Sequence, residues 1–266
     1  MVYKDDYILF YKTACNIFES TFKFINDSDE DYYFLNVSSI KLLKHIHTTE
    51  MLMTTELAYE HIEGEFTYYD LSSVVSLLRV CYENIVAIAH HYFRDNLNVD
   101  HLNFYELCGL RNRAKNYFTT STPDIKMKIK HEQEQIDKIK TKLENNGFKI
   151  PKKNDWKPSS WYQLGLELGI PKYVCDKYSF WSSHTHTGFD SLMQVNSSHK
   201  NPPMQEIMRN EINYLFICSI LVFFIKGYVA VLKRLGYQQL DDMDLSEVEH
   251  FSKFMENFDQ MNESYI

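Results

Sequence analysis

DLSSVVSLLRVCYENIVAIAHHYFR, residues 70–94, decides the fold. Val, Leu, Ile, Cys and Ala fill most of it, and they fall on nearly every face of a helical wheel. A helix that is apolar all round must be enclosed by neighbours. Read as a helix from about Tyr69 to Arg94, the segment predicts a bundle built around it. No sustained alternation of apolar and polar residues argues for strands, and Gly and Pro are scarce, eight and six in 266 residues. So few breakers favour long helices with short connections. The expected fold class is all-α, a multi-helix bundle of long helices with one protruding charged helix.

Working outward, the periodicity predicts helices over Asp5 to Asn26 and over Ser38 to Ile62, the latter ended by Gly64. On the other side, a helix covers Val99 to Phe118. TTSTPD then gives a start signal, with Thr122 as N-cap, Pro123 in the first helical position and Asp124 in the first turn. The helix that follows, to about Asn146, is polar, with one narrow stripe of Ile125, Ile129, Ile136, Ile139 and Leu143. Its six lysines between Lys126 and Lys142 can touch phosphates, but a solvated face with Glu–Lys pairs is the stronger reading. Shorter helices are expected at Ser160 to Leu168 and Pro171 to Gly188, then long ones at Met204 to Leu235 and Leu245 to Met261. The organisation expected is one helical domain, 1–266, with a charged arm and linker, 122–157, inserted in it.

A formal net charge of −8 argues against a general nucleic-acid coating protein, which needs a basic field. It leaves room for an enzyme that meets RNA through one local basic pocket. The five cysteines are odd in number and far apart, without a CxxC pair, and read as buried thiols of a reducing compartment. The first residues are acidic where a signal peptide is basic. The apolar run Tyr214 to Ile225 is shorter than the ~20 residues a bilayer demands. A cytoplasmic protein without stable membrane insertion is therefore expected.

Two polar constellations interrupt the apolar pattern. Arg79 and Glu83 stand four apart on the central helix, in a polar stripe with Ser72 and Ser76. Two readings are open: a pair that locks helix register, or the wall of a polar cavity. The second constellation is YSFWSSHTHTGF, residues 178–189. Tyr178, Ser182 and His186 are spaced four apart and share a face. His184 points some 200° away from His186 at ~100° per residue. Such a pair does not chelate one ion, since helical metal ligands want three- or four-residue spacing. No metal and no cofactor is expected. A basic cluster, Arg111, Arg113 and Lys115, reads by default as a surface helix end, and more sharply as a phosphate-facing patch.

The segment Tyr178–Ser179–x–x–Ser182–x–x–x–His186, following LLRVCYEN and a Trp at 156 or 161, resembles a widespread bacterial family of uncharacterised helical proteins. Those proteins carry Tyr-Arg-x-x-Ser-x-x-x-His at this place. That signature is similar to the one of HEPN proteins, many of which are metal-independent ribonucleases of toxin and phage-defence systems, often with two protomers joining their motifs. The resemblance spans roughly Asp70 to Gly188. It implies an RNA-directed site with His186, Ser182, Tyr178, Arg79 and Glu83, a homodimer, and RNA as partner. The departure is Ser179 at the family arginine, so Arg79, Arg111 or Arg113 must supply the charge. The alternative is a non-catalytic helical module that binds a protein or a small ligand.

Overall fold

The computed structural model describes residues 2–28, 30–55, 57–61, 64–68, 70–94, 97–115, 122–151, 156, 158–185, 202–240 and 244–263. The chain divides into two compact units, Met1–Arg94 with Ser160–Ile266, and Asp95–Ser159. The fold is all-α and multi-helical, with one short hairpin among the described residues.

In the first unit, α1 (Val2–Ser28) packs on α2 (Tyr33–Thr54), and α2 on α3 (Leu71–Ile88). Asp70 caps α3 by accepting a hydrogen bond from the Ser73 amide at 3.0 Å. Val74, Val75, Leu78, Cys81, Ile85 and Val86 of α3 are buried. The enclosure that the apolar wheel predicts is thus present. Beyond α3 the chain loosens into one π turn, Ala89–Phe93. Its carbonyls are met by the Arg234 guanidinium, which donates to Tyr92 O and Arg94 O, each at 2.6 Å.

The second predicted helix is too long by two turns. α2 stops at Thr54, and an antiparallel hairpin follows, β1 (Leu57–His61) on β2 (Gly64–Tyr68), with Tyr59 opposite Phe66. Ala58 and Glu60 favour helix, but Phe66, Thr67 and Tyr68 are aromatic or β-branched and favour strand.

Beyond the inserted unit come α6 (Trp161–Glu167), α7 (Lys172–Thr185), α8 (Pro202–Arg234) and α9 (Ser246–Glu263). Ser160 caps α6 through the Gln163 amide, as its place before the helix suggests. α8 packs along α1 and buries Tyr214, Ile217, Cys218, Leu221, Phe224 and Tyr228. The Leu71–Phe93 and Asn210–Arg234 helices are each long and apolar enough to cross a membrane. The second is longer than the Tyr214 to Ile225 run suggested, and 78% of its apolar window is buried inside the fold. Gly188, expected to cap α7, lies outside the described residues.

The second unit is α4 (Val99–Lys115) against α5 (Pro123–Asn145). Pro123 opens α5 after Thr122, as read from the sequence. The predicted stripe is buried only in its second half. Ile136, Ile139 and Leu143 pack with Phe104, Leu107, Cys108 and Leu110, while Ile125 and Met127 are exposed. Trp156 stands edge-on to Tyr105, with ring centroids 4.5 Å apart.

Candidate functional site

α3 and α7 pack against each other, and the polar stripe of one meets the polar face of the other. The Arg79 Nε donates to Glu83 Oε1 at 2.8 Å, one turn further along α3. From α7, the Tyr178 hydroxyl donates to the same oxygen at 2.9 Å. The Arg79 Nη1 donates to Thr185 Oγ1 at 2.6 Å, and its guanidinium carbon lies 5.7 Å from the Tyr178 ring centre. Thr185 Oγ1 in turn donates to the Ser182 carbonyl at 2.9 Å. The Arg79 and Glu83 side chains are 20% and 29% exposed, so solvent reaches the cluster.

Below it lie buried aromatic rings. Trp181 is 1% exposed and stands edge-on to Phe216 of α8, 5.2 Å between ring centres. Tyr82 is fully buried, lies 5.1 Å from the Tyr178 ring, and donates its hydroxyl to Trp161 O at 3.0 Å. The other end of α7 is held from far away in sequence. Asp259 of α9 accepts from the amides of Lys172 and Tyr173 at 2.6 and 2.9 Å. A carboxylate at a helix N-terminus satisfies free amides and opposes the helix dipole.

Electrostatics follow this geometry. Burial works against the Arg79 charge, but the Glu83 carboxylate and the Tyr178 hydroxyl outweigh it and hold the guanidinium proton more tightly than usual. Burial, then the hydrogen bond to Glu83 and its charge, push the Tyr178 phenol from 10.0 up to about 12, against the pull of Arg79. A folded-state value above the unfolded one gives stability that is complete below pH ~10 and is lost as pH rises toward ~12. The stability gap between wild type and Tyr178→Phe is therefore expected to narrow from pH ~9 to ~12. Urea unfolding across that range checks it, and a constant gap would rule out the Glu83 contact.

The structure thus brings Arg79, Glu83 and Tyr178 together, with half-buried Ser182 on the same face of α7. His186 and its neighbours to residue 201 lie outside the described residues, as does the side chain of His184. Thr185 was not singled out in the sequence. It stands seven residues, two turns, after Tyr178, and that spacing was its signal. Arg111, Arg113 and Lys115 belong to α4 in the second unit. Arg113 Nε pairs there with Glu132 Oε1 of α5 at 2.9 Å, and that carboxylate is buried. Arg113 thereby neutralises a buried charge, while Lys115 is exposed. Among the described residues no three His, Cys, Asp or Glu side chains cluster as metal ligands.

The chain matches no curated protein and no solved structure. Residues 67–203 match a family of unknown function, DUF5677. That span takes in α3, the inserted unit and α7, and so the whole Arg79–Glu83–Tyr178–Thr185 cluster. It also covers the segments whose spacing resembles an uncharacterised helical family. The match extends over half of the chain, which belongs to this family of unknown function, DUF5677.

Proposed function

We propose that the chain is a HEPN-like helical protein that cuts RNA without a metal, in a phage-defence or toxin setting. One observation carries the reading: the Arg79 guanidinium ends on the hydroxyl of Thr185, the residue before His186. Ser179 stands where the family signature has arginine, and Arg79 reaches the same helix from α3 with the charge that Ser179 lacks. In this reading His186 takes the proton of a ribose 2′-hydroxyl as that oxygen attacks phosphorus, or gives one to the departing 5′-oxygen. Arg79 holds the phosphate as negative charge grows on its oxygens. Glu83 and Tyr178 keep the guanidinium aimed along α7. RNA is the partner, and a homodimer would set two such sites side by side.

A second reading has its own observation. Arg79 and Tyr178 both donate to one oxygen of Glu83, which balances the guanidinium without any phosphate. A cluster so satisfied also suits a non-catalytic module, in which it fastens α3 to α7 and a protein or small ligand is bound elsewhere.

Wild type and His186→Ala, incubated with total RNA and compared by thermal melting, separate the two. Cleavage by the wild type alone, with both proteins melting alike, is the result expected for the nuclease. No cleavage by either protein, with a much lower melting temperature for the variant, would leave the cluster a fastening between helices.

A further inference from the structure

An adjoining face of α7, with Trp181 at its edge, lines a cavity. Lys177, Phe180 and Trp181 meet Val75 of α3 and Asn213 and Phe216 of α8 around a space of about 140 Å³. Drug-sized ligands occupy pockets of roughly 300–1,000 Å³, so this one is too small for them. An apolar cavity of ~150 Å³ in another protein takes up benzene, and a single six-membered ring is the right scale here. The walls are aromatic, with Trp181 and Phe216 buried and Phe180 half-buried. Lys177 is exposed at the rim.

One polar group breaks the apolar lining. Asn213 is 6% exposed, and its Nδ2 is buried without a hydrogen-bond partner. A buried amide donor normally finds an acceptor, and leaving it bare is costly. The last torsion of an asparagine is broad, and Asn213 lines the cavity, so its amide can turn to an acceptor lodged there. The arrangement asks for a flat six-membered ring that carries a carbonyl, with an anionic group able to reach the rim.

The geometry points to a pyrimidine-nucleotide site: the ring sits among Phe180, Trp181 and Phe216, its carbonyl accepts from Asn213, and its phosphate pairs with Lys177. Adenine fails on two counts, being a fused bicycle and lacking a carbonyl. The inference rests on this cavity alone and stands or falls apart from the cleavage reading. The nucleotide has two sources, a free monophosphate or a uridine within an RNA strand.

Calorimetric titration of the full chain with uridine monophosphate, adenosine monophosphate and a short oligouridylate tests it. The expected result is saturable binding of the uridine ligand, at least tenfold weaker for adenosine monophosphate. Asn213→Leu, close in volume, should weaken it at least tenfold without a lower melting temperature. Lys177→Ala, a surface change, should weaken uridine monophosphate several-fold and leave uridine unaffected. It decides the matter should Asn213→Leu not fold. Binding of the monophosphate supports a free nucleotide as occupant, and binding of the oligouridylate alone supports an RNA strand. Binding of neither would overturn the site. So would equal affinity for adenosine monophosphate, or affinity indifferent to both substitutions.

Discussion

Trp181→Ala is expected to lower the unfolding free energy by ~3–5 kcal/mol, the usual cost of removing a buried indole. Trp181 is 1% exposed and bridges α3 to α8, through Tyr82 with ring centres 6.1 Å apart and through Phe216 at 5.2 Å. Its removal leaves a hole between three helices whose backbones are held by other contacts, so the site collapses only in part. Against a total of ~5–15 kcal/mol for a domain, such a loss removes a large share of the stability. Urea unfolding followed by circular dichroism measures it. A change under ~1 kcal/mol would mean that α7 contributes little to the core, and the cluster above it would lose its rigid support.

Gly227→Ala should cost ~1–3 kcal/mol through overpacking, although alanine is the better helix former by ~1 kcal/mol. The reason is a close approach. A Cβ at Gly227 would stand 2.1 Å from Cδ2 of Phe93 and 2.3 Å from Cε2. Phe93 closes the π turn and lies against Phe223 and Phe224, with ring centres 6.1 and 6.4 Å away. The ring is partly buried and borders a cavity of about 550 Å³ beside Gly227, so part of the cost is relieved if it turns toward that space, and the low end of the range is expected. A control on the same scale is Gly109→Ala, where nothing lies within 4 Å of the added carbon. That change should be neutral or stabilising in thermal melting. Equal melting shifts for the two variants would contradict the packing described around Phe93.

The burial of α3 was legible because its apolar residues cover the wheel, a local property. The pairing of Arg79 with Glu83 was legible for the same reason, since a four-residue step fixes two side chains on one helix face. The start of α5 followed from proline's preference for the first helical turn, whereas the Thr122 side chain makes no capping hydrogen bond. What stayed hidden depends on contacts between distant segments. Thr185 meets Arg79 across 106 positions, and Asp259 meets Lys172 across 87. No periodicity encodes either. The hairpin after Thr54 was missed because each strand is five residues long, and Ala58 and Glu60 read equally well as helix. Arg113 read by default as part of a surface helix end because its partner Glu132 stands on another helix. The histidine on which the cleavage reading depends, His186, was legible only through its spacing from Tyr178 and Ser182.

The Asp259 cap has a consequence for the order of events at the ribosome. The acceptor for the first amides of α7 emerges 87 residues after the helix itself begins. The Asp95–Ser159 unit is contiguous in sequence and can fold while the rest is being translated. The Arg79–Tyr178 cluster gains its anchored helix only once α9 has left the exit tunnel. If the proposed cleavage of RNA holds, the site on a nascent chain gains its full anchoring only after Asp259 has emerged, well behind the residues that compose it.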